Sequence, residues 1–375
     1  MPHTTFHLFN FHLNRELSEI YFSIFIRTLA ISMIGIFIPI YLFKEVGYTL
    51  TKVLFFYILA ALFFAFLSPF IAKISNKIGL KYSVLLSSFF FIIFYFLLYN
   101  LQNYPYNVWF VLTALSVALT VSFFWIAFHA DFAKFTQKKH RGEEVGVRIS
   151  FSIVIGMLGP LIGGLIITYL GFNILFIVVS LLMLASSLPL FFSKEIHEPS
   201  QFSLKNIFKE KKFKDALAYI GEGMKDRALI VIWPLFIFLS LPKYLLLGFI
   251  ASAVGLFTAV FTFIVGRFAD KTDKRTLIKI SAISDAILWP VRTLSITFLH
   301  FFSFSVVSGI LHTTLAVPFQ ARMYDKANKG NRLEYTVFRE INIKIGEILI
   351  LLISMISLSL GIAATGIGLL LHVLL

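Results

Sequence analysis

The chain contains no cysteine among its 375 residues. This absence excludes disulfide bonds, thiolate zinc sites, cysteine-ligated iron–sulfur clusters and cysteine nucleophiles. The common serine-hydrolase, zinc-protease and nucleotide phosphate-binding motifs are missing as well. We therefore expect no enzymatic activity, no cofactor and no metal site.

Charged residues are also scarce, at 14 % of the chain, whereas 58 % of the residues are hydrophobic. A soluble protein cannot cover its surface with so few polar residues. Apolar runs of about 20 residues recur along the sequence, and each is long enough to cross a bilayer as a helix, the form that satisfies the backbone in lipid. The sequence thus predicts an all-α polytopic membrane protein with twelve transmembrane helices. They fall at 18–43, 51–73, 81–100, 106–129, 147–169, 172–193, 216–241, 244–267, 276–299, 301–320, 341–360 and, as a short last helix, 361–375.

The net charge of +14 comes from basic residues that lie mostly in loops on one side of these spans. The loops on the other side hold only Lys44, Lys52 and Lys243. Lysine and arginine mark cytoplasmic loops, so we expect both termini on the cytoplasmic side of a cell membrane. The positive charge then reflects orientation in the lipid bilayer, and we expect no nucleic-acid partner.

The chain also repeats itself. The segment AKISNKIGLK (72–81) follows span 2, and GRFADKTDKR (266–275) follows span 8, 194 residues later. Pro39 in span 1 matches Pro234 in span 7 at an offset of 195, and Arg148 matches Arg339 at 191. We therefore expect an N-terminal six-helix bundle (1–193), an amphipathic cytoplasmic linker (194–215) and a C-terminal six-helix bundle (216–375). Duplicated halves of this kind are typical of transporters.

These loop segments resemble the signature of the major facilitator superfamily. The second copy has Gly266, Asp270, Lys271, Lys274 and Arg275 at the signature positions, and the first copy keeps Lys77, Gly79 and Lys81 but has Asn76 in place of aspartate. Span 5 carries Gly159, Pro160, Gly163 and Gly164, which are similar to the family's Gly-Pro-x-x-Gly-Gly motif. The resemblance implies the two pseudo-symmetric bundles of that fold, a monomer, and alternating access.

A cytoplasmic gate is the role that this resemblance implies for the loop residues. Asp270 would accept hydrogen bonds at a neighbouring helix N-terminus or pair with an arginine such as Arg339. The alternative is a solvated loop that only orients the chain. The candidate gate residues are Asn76, Lys77, Arg148, Gly266, Asp270, Lys271 and Arg339, and for the span 5 glycines the alternative is simple helix packing.

Ionisable residues within spans are candidates for binding, because charge in hydrocarbon is costly. The candidates that we single out among them are Arg27, Glu222, Lys225, Asp226, His312, Lys344 and Glu347. If the central cavity of the resembled fold is present, Arg27 and Glu222 would face each other, with Arg27 attracting an anionic group and Glu222 or Asp226 taking a proton. The alternative is a structural network, since Glu222 and Lys225, like Lys344 and Glu347, lie three residues apart and neutralise each other on one helix face.

The function that these features indicate is secondary active transport of a small solute, with the proton as the expected coupling ion. The rival interpretation is a membrane sensor or assembly factor that keeps a transporter scaffold without transporting.

Overall fold

A computed structural model describes residues 15–104, 107–135, 141–192, 202–207, 213–269 and 274–375. Within these residues the chain is built of helices joined by short turns. We call the helices before the linker the N-terminal helices and those after it the C-terminal helices.

The N-terminal helices run from residue 15 to residue 187. They are α1 (Arg15–Ile34), α2 (Ile38–Ile40), α3 (Leu50–Ile78), α4 (Leu80–Asn100), α5 (Asn107–Phe135), α6 (Arg141–Gly156) and α7 (Gly159–Ser187). Gly171 interrupts α7 with φ 81° and ψ 172°, a conformation that glycine adopts without steric cost. This break falls between predicted spans 5 and 6.

The C-terminal helices run from residue 213 to residue 370. They are α8 (Phe213–Arg227), α9 (Trp233–Ser240), α10 (Tyr244–Ala269), α11 (Lys274–Val291), α12 (Phe298–Ala327), α13 (Arg332–Ile356) and α14 (Leu358–Leu370). A 3-10 turn, Leu371–Leu374, continues α14. Another 3-10 turn, Leu204–Asn206, lies within the predicted linker.

Seven helical stretches of the described residues are long and apolar enough to cross a membrane, and Leu358–Leu374 is a shorter apolar helix. Large apolar side chains are exposed on their outer faces, as with Phe66 and Tyr169, which are 69 % and 73 % exposed. A surface of this kind fits a lipid environment rather than water. The helices α8, α11 and α13, which carry several charged residues each, are not among these seven apolar stretches.

Several predicted boundaries were wrong. Span 9 ends at Val291 rather than at 299, because Pro290 removes a backbone N–H and the chain leaves the helix through a 3-10 turn. The next helix begins at Phe298, where the Thr297 side chain accepts from the N–H of His300, and it continues to Ala327, beyond the predicted end at 320. The last helix begins at Leu358 instead of 361, after the extended residue Ser357.

Predicted spans 1 and 7 are both interrupted by a short π-helical turn beside a proline. The turn Tyr41–Glu45 follows Pro39, and the turn Ala228–Ile232 precedes Pro234. A proline donates no backbone hydrogen bond, so the ladder around it rearranges locally. The second turn begins directly after Arg227, the last of the charged residues on α8.

Glycines allow close helix packing within each set. A Cβ at Gly163 would lie 1.8 Å from the carbonyl oxygen of Met33, so α7 touches the backbone of α1. A Cβ at Gly223 would lie 1.9 Å from the carbonyl oxygen of Ile343, so α8 touches the backbone of α13. Small residues at such crossings let membrane helices approach each other. Between the two sets, α3 packs along α13 and α7 packs along α10.

Candidate functional site

A cluster of six ionisable side chains lies where α8 meets α13. We call it the charged cluster. It contains three acidic and three basic residues, namely Glu222, Lys225, Asp226, Arg227, Lys344 and Glu347. Its formal charges therefore cancel, and this balance reduces the cost of placing it inside a membrane protein.

Glu222 and Lys225 form the first buried ion pair of the cluster. Lys225 is fully buried, and its Nζ lies 2.6 Å from Oε2 of Glu222. Asp226 lies farther from the same amine, with Oδ1 3.6 Å from Nζ, and its side chain is 38 % exposed. The predicted proximity of Glu222 and Lys225 along α8 thus becomes a direct contact.

Glu347 forms the second ion pair, and two cations share its carboxylate. Lys344 Nζ donates to Oε1 at 2.6 Å, and the Arg227 guanidinium donates to Oε2. Because Arg227 lies on α8 and Glu347 on α13, this contact joins the two helices. Sequence spacing indicated the Lys344–Glu347 pair but gave no indication of the contact between helices.

The charged cluster faces aromatic side chains of α3. The Arg227 guanidinium lies 5.1 Å from the centroid of the Tyr57 ring, and Lys344 Nζ lies 4.5 Å from that of Phe64. Tyr57 and Phe64 are seven residues apart and so lie on one helix face. These cation–π contacts connect the cluster to the N-terminal helices.

His372 is a member of this site that sequence reasoning missed. It is fully buried, and its Nε2 lies 3.1 Å from Oε2 of Glu222. Its Nδ1 lies 3.2 Å from the carbonyl oxygen of Leu369, which accepts hydrogen bonds only, so Nδ1 carries a hydrogen. The contact with Glu222 then needs a second proton, held either on Nε2 or on the carboxyl group.

The structure places His312 on α12, where its Nδ1 is buried and has no hydrogen-bond partner among the described residues. His312 interacts electrostatically with Glu222, Lys225 and His372. It therefore lies beside the charged cluster.

Arg27 and Glu222 do not share partners. The hydrogen bond and ring contacts of Arg27 involve α4 and α5, where Ser87 Oγ lies 2.7 Å from Nη2 and the Phe124 centroid lies 3.8 Å from the guanidinium carbon. Glu222 instead bonds Lys225 and His372 on the C-terminal helices. Each residue is thus held by partners within its own set of helices, and the expectation that the two face each other across a cavity stays a prediction.

A second polar network joins the two sets at the predicted cytoplasmic end. His129 Nδ1 lies 2.8 Å from the Tyr324 hydroxyl, and His129 Nε2 lies 3.2 Å from Nη1 of Arg339, which also pairs with Glu340. An arginine only donates, so Nε2 accepts and the imidazole is neutral, with its hydrogen on Nδ1. We call these four residues the His129 network.

The structure describes only part of the predicted gate. Arg339 bonds His129 and Glu340 in the described residues, whereas its predicted partner Asp270 lies outside them. Lys271 also lies outside the described residues, as do the surroundings of Arg148 and Gly266. On α3, Asn76 is half-buried and Lys77 is exposed.

The span 5 residues lie at helix contacts. A Cβ at Gly159 would lie 1.9 Å from Oγ of Ser32 on α1. Gly164 faces α10, where the nearest atom to such a Cβ is the Tyr244 carbonyl oxygen at 3.2 Å, and the carbonyl oxygen of Pro160 lies against Gly248 of the same helix. With Gly163 against α1, this segment sits between both sets of helices.

Two contacts near the C-terminal ends of α5 and α12 join residues that are 195 positions apart. They are His129 with Tyr324, and Ala133 with Asn328, which caps α12 and whose Nδ2 donates to the Ala133 carbonyl at 2.8 Å. The same offset relates Pro39 to Pro234. In a molecule with a two-fold axis, residues beside the axis contact their own counterparts.

Replacement of Tyr324 by phenylalanine is expected to weaken this end of the molecule. The change removes one buried hydrogen bond, about 1 kcal/mol, or roughly a fivefold shift toward conformations open at this end. The chain has no cysteine, so Ala133→Cys introduces a single thiol whose rate of maleimide labelling reports access to this position. The rate is compared in three proteins, namely Ala133→Cys alone, Ala133→Cys with Tyr324→Phe, and Ala133→Cys with Tyr169→Phe, which changes an exposed tyrosine and is the matched control. Equal labelling of all three proteins would contradict the prediction.

His372, Tyr324 and Glu340 were not among the predicted site residues. A signal existed for His372, which is the lone ionisable residue in the apolar run GIGLLLHVLL (366–375). The rule that ionisable residues within spans mark function would have selected it. Tyr324 and Glu340 carried no such signal, since they lay in a segment interpreted as a loop.

Comparison with known proteins identifies a family, a relative and similar solved structures. The Major Facilitator Superfamily profile matches residues 20–241, more than half of the chain. YqgE of Bacillus subtilis, described as uncharacterised, is 24 % identical over 282 residues, which are 70 % of this chain and 65 % of that protein's length.

Solved structures of the transporter FucP match the fold. The Escherichia coli fucose:proton symporter FucP, in a single-residue variant, gives a TM-score of 0.69 at 10 % identity and covers 95 % of this chain and 96 % of its own. FucP in the outward conformation gives 0.70 at 10 % identity, with 96 % and 98 % covered. At this identity the match concerns the fold. Together with the apolar helices described above, these findings show that the chain belongs to the Major Facilitator Superfamily of multi-pass membrane transporters.

Proposed function

We propose that this protein is a secondary transporter that moves a small solute by alternating access and couples the movement to protons. The observation that carries the proposal is the charged cluster, which is buried, balanced in charge and placed between α8, α13 and α3. A purely structural core would be built of apolar side chains, since replacing buried ion pairs by apolar residues is often neutral or stabilising. The presence of six ionisable groups at this place therefore favours a functional role for the cluster.

The architecture that we propose has twelve membrane crossings in two halves, 1–193 and 216–375, joined by the linker 194–215. The break at Gly171 supports two crossings within Ile149–Phe191, and the charged helices α8, α11 and α13 supply crossings that apolarity alone misses. The contacts at an offset of 195 support a two-fold relation between the halves. We also propose a monomer with both termini on the cytoplasmic side of a cell membrane.

The proton-coupling step that we propose takes place at Glu222 and His372. Their contact holds one shared proton, and Glu222 also bonds Lys225. Removal of that proton leaves a carboxylate beside a neutral imidazole, and addition of another leaves Lys225 without a counter-charge at Glu222. Either change alters the charge balance of the cluster, which contacts α3 through Arg227 and Lys344. Proton binding is thereby linked to the contact between the halves.

The His129 network would act as the cytoplasmic gate in this scheme. Its hydrogen bonds cross between α5 and the helices α12 and α13, so opening this end requires that they break. The opposite end has its own cross contacts, in which Tyr244 donates to Glu45 and Lys44 lies 4.8 Å from the Tyr244 ring centroid. Alternating access would break one set of contacts while the other is kept.

The test uses purified protein in vesicles that contain a pH-sensitive dye. We expect that one class of solute from a panel of sugars, organic acids and amines moves protons across the membrane only in vesicles that contain the protein. A proton ionophore should abolish concentrative uptake. FucP is a fucose:proton symporter, so fucose belongs to the panel. If no solute moves under any gradient, the proposal fails and a non-transporting role is supported.

A further inference from the structure

Arg27 is a buried cation without an acidic partner among the described residues. Its side chain is 2 % exposed, and its position twelve residues after the start of α1 places it about 18 Å along that helix. Nη2 donates to Ser87 Oγ at 2.7 Å, but Nε and Nη1 have no hydrogen-bond partner. The Phe124 and Phe91 rings, at 3.8 Å and 5.6 Å from the guanidinium carbon, cover part of the group.

Two hydroxyl groups close to Arg27 are also buried and without partners in the part of the chain that the structure describes. They are Oη of Tyr95 and Oγ1 of Thr120, in residues that are 2 % and 0 % exposed. Tyr95 interacts electrostatically with Arg27. Ser87 links the group to Thr120, since the hydroxyl that accepts from Arg27 donates to the Thr120 carbonyl at 2.9 Å.

Every unused polar atom of this group is able to donate a hydrogen bond. The guanidinium supplies N–H donors only, and the phenol and the threonine each supply one O–H. Unsatisfied buried donors are rare, and a buried charge without a counter-charge costs several kcal/mol. Contacts with aromatic faces offset only part of this cost.

Arg292 is a second buried arginine whose Nε and Nη1 have no hydrogen-bond partner among the described residues. It is 1 % exposed and also lies against aromatic rings, at 4.3 Å from the Trp289 centroid. It differs from Arg27 in its acceptors, since it donates to the Phe304 carbonyl at 3.2 Å and interacts with the buried carboxylate of Asp285. In the part of the chain that the structure describes, Arg27 has neither a carbonyl acceptor nor a carboxylate partner, so the missing counter-charge distinguishes it from Arg292.

We propose that Arg27, Tyr95 and Thr120 form a binding site for an oxyanion, a carboxylate or phosphate group. A guanidinium fork matches the paired oxygens of either group, and two hydroxyls complete the donor set. Resting on the transport function proposed above, we assign this oxyanion to the transported solute. The site lies between α1, α4 and α5 and is separate from the charged cluster of the C-terminal helices.

The experiment measures the thermal unfolding midpoint of the purified protein in detergent. The probes are inorganic phosphate, acetate and succinate, added at constant ionic strength with chloride as the replaced anion. Because a ligand that binds only the folded state stabilises it by RT ln(1 + L/Kd), where L is the free ligand concentration, the midpoint rises with ligand concentration and an apparent Kd follows from the titration. We expect concentration-dependent stabilisation by phosphate or a carboxylate and none by chloride. Stabilisation by phosphate alone would identify the oxyanion as phosphate.

Two of the variants preserve side-chain volume and keep the arginine. Tyr95→Phe and Thr120→Val should each weaken the apparent Kd about tenfold, since each removes one hydrogen bond to a charged group. Arg27→Lys should weaken it about 100-fold, because the fork is lost. Thr113→Val is the matched control, since Thr113 is buried on α5 and its Oγ1 already donates to the Trp109 carbonyl at 2.7 Å.

The site would be overturned if no oxyanion stabilises the protein, or if Tyr95→Phe and Thr120→Val bind like the unaltered protein. Its failure is distinguishable from failure of the transport proposal. Vesicles that transport a neutral solute, with no oxyanion binding in detergent, would reject the site alone. Oxyanion binding that depends on Tyr95 and Thr120, in a protein that transports nothing, would reject transport alone.

Discussion

Replacement of Glu222 by glutamine is expected to abolish proton-coupled transport and to destabilise the folded protein. The change leaves Lys225, which is fully buried, without its 2.6 Å partner and removes the carboxylate that contacts His372. Breaking a buried ion pair from one side costs about 3–5 kcal/mol, because an uncompensated charge remains. The unfolding midpoint in detergent should fall, and solute-driven proton movement should be lost.

A double variant separates the structural part of this effect from the functional part. Glu222→Gln combined with Lys225→Met removes both charges and should recover most of the lost stability, since apolar replacement of a whole pair is often neutral. Transport should stay absent, because the proton-carrying carboxylate is still missing. Recovery of both stability and transport would show that the pair is structural only.

The exposed carboxylate Asp325 supplies the matched control for these variants. Asp325→Asn makes the same carboxylate-to-amide change at the surface, where substitutions usually shift stability by no more than about 0.5 kcal/mol. We expect its unfolding midpoint and proton coupling to match those of the unaltered protein. Transport by Glu222→Gln at the same rate as by Asp325→Asn would contradict the proposed coupling step.

Replacement of Gly223 by valine is expected to prevent stable folding. A Cβ at this position would lie 1.9 Å from the Ile343 carbonyl oxygen, which is backbone and cannot move aside without separating α8 from α13. Overpacking typically costs about 1–3 kcal/mol and occasionally more. We place this substitution at the upper end, because separation of the two helices would also disturb the Arg227–Glu347 contact.

The measurement is the yield of monodisperse protein after detergent extraction, together with its unfolding midpoint. Gly163→Val should behave similarly, since a Cβ there would lie 1.8 Å from the Met33 carbonyl oxygen. Gly330→Val is the control, because no atom lies within 4 Å of a Cβ at that position. A Gly223→Val protein as stable as Gly330→Val would show that the close approach of the two helices is not required.

The helical, membrane-spanning character of the chain followed from composition and from the lengths of its apolar runs. Internal boundaries were predicted less well. The end of span 9 depended on how the chain leaves a helix at Pro290, and the start of the last helix depended on the tight turn at Ser357. The helices on either side of that turn are in close contact, since a Cβ at Gly361 of α14 would lie 1.9 Å from Oγ of Ser354 on α13. Hydropathy does not register such local backbone events.

The residues of the candidate site could likewise be predicted in part from the sequence. The cost of charge in a membrane was sufficient to select Arg27, Glu222 and Glu347 from sequence, and helical spacing indicated the Lys225 and Lys344 pairs. The expectation that Arg27 would face Glu222 across a cavity stays a prediction, since each bonds partners within its own set of helices. Residues 195 positions apart do meet elsewhere, as His129 and Tyr324 do, but an offset in the sequence does not state which positions touch.

By itself the sequence determined that this protein spans a membrane with several helices and carries ionisable groups inside them, because apolar length and the cost of buried charge are properties of the chain. Tertiary structure decided which of these groups meet. Arg227 reaches Glu347 from another helix, His372 reaches Glu222 across 150 positions, and Arg27 is left with unused donors. Such contacts depend on helix rotation and crossing, which are set by close packing at glycines and not by the order of residues along the chain.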